Sequence, residues 1–467
     1  MSLPKYPEYS HGAIPSLGPL PAHWASQALK SVVARIESGV SVNAHDEPVS
    51  GQAFGVLKTS CVYAGRFDPA ENKAVVEDEL ERVACPVKAG ALIVSRMNTP
   101  SLVGAAGLVS TNAEHLFLPD RLWQVHFMGA EPAFVHYWTA SPSYRAQVEM
   151  ACAGTSASMQ NLSQNEFLRF VLPVPPLEEQ VAIATFLDRE TAKIDALIAE
   201  QEKLIALLAE KRQATISHAV TRGLDPDATM KDSGVEWPKQ VPQHWGQAKL
   251  QDLVAKTQHS FVNGPFGSDL LTSELTAEGV PVVYIRDVKE HGYERISEWC
   301  VTKEKAAQLK FCNVMPGDVL VAKVGDPPGV AAVYPSDEPS GVVTQDVIRL
   351  RLERSKADPG YLCWLLNSFY GRIAIDQISV ESTRTRVGLG EYKQVRFSIP
   401  PLSEQEAISA NLTEGIGRIR ALSTDAELVI KLLQERRSAL ITAAVTGQID
   451  VRGAVQPDHA THESIAA

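Results

Sequence analysis

The sequence predicts an α+β protein built twice: two similar α/β domains separated by two long coiled-coil helices, paired antiparallel about a pseudo-twofold axis. Three observations lead there. The phrase "VPPLEEQ" at 174–180 returns as "IPPLSEQ" at 399–405, 225 positions later. At that offset and without a gap, 175–225 runs against 400–450 with more than two-fifths of the 51 positions identical, among them Leu187/Leu412, Ile194/Ile419, Leu208/Leu433, Arg212/Arg437 and Asp225/Asp450. A second echo opens each half: "LPAHW" ends at Trp24 and "VPQHW" at Trp245. Two echoes in the same order mark a tandem duplication.

Length agrees, because 467 residues exceed what one ordinary core encloses. With 21% charged and 45% hydrophobic residues the composition is that of a soluble globular protein. A net charge of −11 argues against a chain that coats nucleic acid nonspecifically. It leaves room for a specific reader with a local basic face, or one acting beside a more basic partner. Cys61, Cys85, Cys152, Cys300, Cys312 and Cys363 form no C-x-x-C pair and no zinc spacing, so buried reduced thiols are expected and no metal site. The opening "MSLPKYPEYS" has no apolar signal core, and no run approaches the ~18 residues that span a bilayer. A cytoplasmic protein is expected.

The first domain is placed at 1–172 and the first long helix at 173–222. From 177 to about 219 there is no Gly or Pro, and Ala, Leu, Glu, Lys and Gln dominate. Pro175-Pro176 suits a helix entry and Gly223 an exit. Alternating steps of four and three from Leu187 meet Thr191, Ile194, Ile198, Gln201, Ile205, Leu208 and Arg212. In the second copy they meet Leu412, Ile416, Ile419, Ser423, Ala426, Ile430, Leu433 and Arg437. This is a heptad-like seam in both copies. Forty helical residues reach about 60 Å, more than a small domain needs for its own core. Pairing of the two helices is therefore preferred over each packing only on its own domain. The linker 223–246, turn-rich through Pro226, Gly234, Pro238 and Pro242, favours an antiparallel pair. The second domain follows at 247–397, the second long helix at 398–450 and a flexible tail at 451–467.

Both domains read as mixed α/β with short strands, such as "GVPVVYIRDV", "GDVLVAKVG" and "GVVTQDVIRLRL" in the second. "VKAGALIVSRMN" in the first stands opposite "VMPGDVLVAKVG", but elsewhere the domains diverge far more than the helices. A kept frame with varied domains suggests two readers of different targets. Candidate reading surfaces lie on loops. In "ESTRTRVGLGEY", Arg384 and Arg386 interleave with Ser382, Thr383 and Thr385; arginine bridges guanine O6/N7 and hydroxyls bond phosphate or base edges. The first domain offers Thr155, Ser156, Gln160 and Asn161, the amides suited to adenine N6/N7. Upstream, Ser95, Arg96 and Asn98 of "SRMNT" face Lys323 of "AKVGD". The bland alternative for each is a solvated loop side chain.

Catalytic patterns are missing. "GDPPG" at 325–329 has Gly329 where an adenine-N6 methyltransferase needs an aromatic to stack on a flipped base, and reads as a turn. No P-loop, His-Glu-x-x-His or G-x-S-x-G motif occurs. His23 and His244, equivalent in the repeat, suggest packing rather than catalysis.

Pro-Pro-Leu-x-Glu-Gln leading twice into a long helix, with "GVEWPKQVPQHW" before the second domain, resembles the specificity subunit of type I restriction-modification systems. The resemblance runs from about Pro21 to Asp450. "GTSASMQNLSQNEFLRFVLPVPPLEEQ" is similar to the family's usual close of a target-recognition domain; the second copy opens with Glu381-Ser382 in place of Gly-Thr or Gly-Ser. The resemblance implies a non-catalytic chain whose two target-recognition domains each read half of a bipartite asymmetric DNA site. The helices would set the spacer and dock two modification (methyltransferase) subunits. Those partners would bring S-adenosylmethionine and the catalytic motif, and motor-nuclease restriction subunits, with ATP and Mg, would complete an adenine-N6 methyltransferase and endonuclease. No cofactor is expected on this chain. The alternative is a non-enzymatic coiled-coil scaffold presenting two ligand-binding domains unrelated to DNA.

Overall fold

The computed structural model describes residues 3–11, 14–51, 53–152, 158–234, 237–265, 269–325, 328–379 and 387–454. These form two compact units, Met1–Gln201 with Leu428–Ala467, and Glu202–Glu427. Each unit therefore holds one α/β domain and a half of each long helix.

In the first unit, one antiparallel sheet runs in the order Ala106–Leu108, Leu92–Ser95, Leu122–Phe127, Val33–Ser38. A second runs Asn72–Ala74, Gly55–Leu57, Ala113–Phe117, Pro86–Val87, and its middle pair is parallel. In the second unit the orders are Phe261–Asn263, Val347–Leu350, Val319–Ala322, Ala331–Val333 and Cys300–Val301, Val280–Val283, Gly341–Val343, Asn313–Val314. There too the middle pair of the second sheet is parallel. Strand for strand the arrangement repeats, although the sequences scarcely align. Central strands such as "LIVS" and "VLVA" are buried along their whole length, so any β-branched or aliphatic residue satisfies them and identity is free to drift.

In each domain the strand after the His-Trp pair closes against the strand before the long helix: Ala25–Ala28 with Val171–Val174, and Gly246–Lys249 with Arg396–Ile399. Ahead of each His-Trp lies a hairpin, Tyr9–His11 with Pro19–Pro21 and Met230–Asp232 with Gln240–Pro242. The segment read as a linker is thus itself part of the repeat.

The long helices span Leu177–Arg222 and Leu402–Val445. Each begins after a Pro-Pro pair, where Pro176 O accepts from Glu179 N and Gln180 N, and Pro401 O from Glu404 N and Gln405 N. Each ends just before a left-handed glycine, Gly223 (φ +76°) and Gly447 (φ +67°). Leu187, Ile194, Leu208, Leu412, Ile416 and Ile419 are buried, and Ile198, Ile205, Ile430 and Leu433 half-buried. The competing packing expectations each hold over part of the helix. In the first unit Ile183, Phe186 and Leu187 pack with Phe134 and Trp138 of their own domain and also with Ile441, Ala444 and Val445. There Asp195 Oδ1 accepts from Arg437 Nε at 3.0 Å. In the second unit Leu208, Ile216 and Val220 share a core with Ile408, Leu412, Ile416 and Ile419. Within each unit the helix segments run antiparallel.

Five of the six cysteines are buried; Cys85 is half-buried at φ +62°. Burial pushes the Cys85 and Cys312 thiols up to about 11, which leaves them poor nucleophiles. Among the described residues no helix is long and apolar enough to cross a membrane, and no cluster of His, Cys, Asp or Glu is placed to hold a metal ion.

Candidate nucleic-acid interface

The two repeated phrases meet in space. His23 Nε2 lies 2.9 Å from Glu179 Oε2, and His244 Nε2 lies 2.7 Å from Glu404 Oε2. The Glu of each Pro-Pro-Leu-x-Glu-Gln therefore holds the His that opens its own domain. Tyr6 also donates to Glu179, and burial with that bond keeps its phenol well above the ordinary value, a permanent donor. In the second unit Trp245 Nε1 donates to Glu404 Oε1 at 3.2 Å instead. The neighbouring glutamines do matching work: Gln180 bonds Pro175 O and Glu131 N, and Gln405 bonds Pro400 O and Asp358 N. Glu131 and Asp358 are the N-caps of equivalent helices, Pro132–Thr139 and Pro359–Asn367. These are structural junctions, as the equivalence of His23 and His244 suggests. At Gly329 φ is +92°, a backbone conformation that would strain any side chain, an aromatic included.

Of the first domain's candidate readers, Gln160 and Asn161 form a short strand paired with Asn98 and Met97, and Leu162 N donates to Arg96 O at 2.8 Å. Asn161 is exposed, Gln160 and Arg96 are half-buried. The Arg96 guanidinium sits 5.9 Å from the Trp123 ring centre, and its Nε has no hydrogen-bond partner among the described residues. Ser95 and Asn98 differ from expectation. Ser95 is fully buried and Asn98 6% exposed; Asn98 Nδ2 donates to Ser95 Oγ (3.1 Å) and Tyr63 Oη (2.8 Å), and its Oδ1 accepts from Thr99 N. Both are engaged in hydrogen bonds inside the domain. Thr155 and Ser156 lie outside the described residues.

In the second domain Lys323 occupies the place of Arg96: it is half-buried, and its carbonyl accepts from Val387 N at 3.4 Å. Ser382, Thr383, Arg384, Thr385 and Arg386 lie outside the described residues.

Sequence reasoning passed over one loop, Tyr63–Arg66, in "SCVYAGRFD". It follows the Thr59–Val62 turn and is exposed throughout. Tyr63 Oη lies 2.8 Å from Thr59 Oγ1 and accepts from Asn98. Gly65 (φ +67°) turns the chain, and its carbonyl is 2.8 Å from His136 Nε2. Because that partner is a carbonyl, Nε2 carries the proton; burial holds the imidazole below its ordinary pKa, as a neutral donor. Beneath the loop, a Cβ on Gly107 would come within 2.5 Å of Phe67 N and 2.6 Å of Arg66 C, so only glycine allows the loop to rest on that strand. An aromatic and an arginine around a Gly turn were the available signal.

No family model matches this chain. Along nearly its whole length it is similar to the StySPI type I restriction enzyme specificity subunit of Salmonella potsdam, at 21% identity over 96% of this chain and 94% of the relative. It is likewise similar to the EcoKI specificity subunit of Escherichia coli K12, at 22% over 97% and 95%. Among solved structures it matches the HsdS subunit from Thermoanaerobacter tengcongensis with a TM-score of 0.55 and 16% identity, covering 92% of this chain and 98% of that one. A chain from work on complex assembly and conformational transition of the type I R-M system gives a TM-score of 0.63 at 17% identity, over 91% and 98%. Those structures share the fold.

Proposed function

We infer that this chain is the DNA sequence-specificity subunit of a type I restriction-modification complex, a non-catalytic chain acting with the other subunits of such a system and with DNA. The observation that carries this is the doubling: two domains share one strand order and one helix junction and differ in their surface loops. Each domain reads one half of a bipartite asymmetric site, and the helices set the spacer between halves. Arg96, Gln160 and Asn161, with Thr155 and Ser156, serve the first half; Lys323 and Ser382, Thr383, Arg384, Thr385 and Arg386 serve the second. Ser95 and Asn98 support the first surface from beneath. Leu197, Leu204, Leu207, Leu422, Leu428 and Leu432, each at least 41% exposed on the long helices, suit docking of two modification subunits. Those subunits bring S-adenosylmethionine to adenine-N6 methylation; restriction subunits, with ATP and Mg, add cleavage, all in the cytoplasm.

Genome-wide base modification in cells expressing the chain with an active modification subunit, with and without this gene, tests the reading. Adenine methylation at a bipartite motif that vanishes on deletion is expected. An unchanged pattern would sink it.

A further inference from the structure

We propose that Arg66 is a specificity-determining residue for the first half-site, its guanidinium bonded to a guanine edge in the major groove, on a loop positioned by Tyr63, Gly107 and His136. This rests on the reading of the chain as a specificity subunit.

Three observations converge. The loop is pre-set, since bonds to Asn98, Thr59 and His136 hold it and the glycine at 107 lets its backbone lie flat on the sheet. A fixed backbone lets a planar fork meet guanine O6 and N7 together, whereas a phosphate contact needs only a charge. Arg66 is also left available: Arg82, Arg145, Arg169 and Arg189 each pair with a carboxylate, while Arg66 is exposed and carries no ion pair among the described residues. Third, the loop joins the candidate reading surface directly, because Tyr63 bonds the same Asn98 that pairs with Gln160.

The second domain treats the equivalent position differently. After the Ile285–Asp287 turn the chain forms a hairpin, Val288–Lys289 with Gly292–Tyr293, and Glu290 at its tip accepts from Arg372 Nη2 at 2.6 Å. Its tip carries an acidic side chain turned to an internal partner. The first half-site alone should therefore depend on this loop.

The test is methylation by the assembled complex on a DNA library randomised in both half-sites, comparing the parent with Arg66→Ala and Arg66→Lys. Arg66→Ala should lose discrimination of G at one position of the first half-site, by roughly 5- to 150-fold, with the second half-site unchanged and so reporting an intact fold. If Arg66→Ala weakens all first-half sequences alike, Arg66 holds a phosphate and the proposal is overturned, whereas a preference lost in Arg66→Ala and partly kept in Arg66→Lys supports the guanine contact, which a lysine can also make. No change in either variant overturns it too. A parent complex with no site preference, its methyltransferase active, would instead overturn the specificity-subunit reading and the role of Arg66 with it.

Discussion

The junction where each domain meets its long helix and the loop each domain carries above its parallel strand pair have opposite histories. At the junctions, His23–Glu179 and His244–Glu404 repeat within a few tenths of an ångström, 2.9 and 2.7 Å. At the loops, an exposed Tyr-Ala-Gly-Arg turn in one domain stands against a hairpin tied down through Glu290 in the other. The difference teaches where the duplication was constrained. A junction joins a helix N-terminus, a closing strand pair and a buried carboxylate, so a change there leaves several groups unpaired at once. A surface loop has only to leave and rejoin its strands, and is free to take up a different task.

The comparison can be pressed at three places. The largest effect is expected in the seam, where Leu187 and Leu412 are fully buried equivalents: either →Ala change should cost about 2–5 kcal/mol in urea unfolding of the whole chain. Leu197 and Leu422, equivalents that are 51% and 53% exposed, should tolerate alanine within about 0.5 kcal/mol. Equal costs at the two kinds of position would mean the seam is drawn on the wrong face.

The junctions come next. The Glu179 side chain is 5% exposed and holds both His23 and Tyr6, whereas that of Glu404 is 24% exposed. Glu179→Gln should cost about 1–3 kcal/mol and Glu404→Gln less, near or below about 1 kcal/mol. Thermal melts of the two variants in one buffer decide it, and a larger loss at Glu404 would break the equivalence.

The smallest effect is in the helices. Gly415 and Gly417 lie inside the second helix where the first has Glu190 and Ala192, and a Cβ on either would meet nothing within 4 Å. Each →Ala change should stabilise by about 0.5–1 kcal/mol, read as a raised denaturation midpoint. A lowered midpoint would contradict the open space around both glycines.

Much of this was legible beforehand because it is written in local or repeated signals. Helical composition between Pro-Pro and Gly, the four-three seam and the paired phrases all survive in one dimension, and two long helices span Leu177–Arg222 and Leu402–Val445. The proposed reading surface was less legible. Ser95 and Asn98 look like surface polar residues in "SRMNT", yet the strand buries them and they spend their hydrogen bonds on each other and on Tyr63. Arg66 drew no notice, because nothing in "YAGRFD" says that Gly107 and His136, some forty and seventy positions on, support the loop from below and behind.

By itself, then, the sequence determined that the protein is doubled, that it carries two long helices, which of their faces is apolar, and that its catalytic motifs are absent. Those follow from periodicity and backbone chemistry, which act between near neighbours in the chain. Only the tertiary structure decided which polar side chains remain available to a ligand. Availability depends on what distant strands and helices bring alongside, and a hydrogen bond already made inside the protein cannot be offered to DNA.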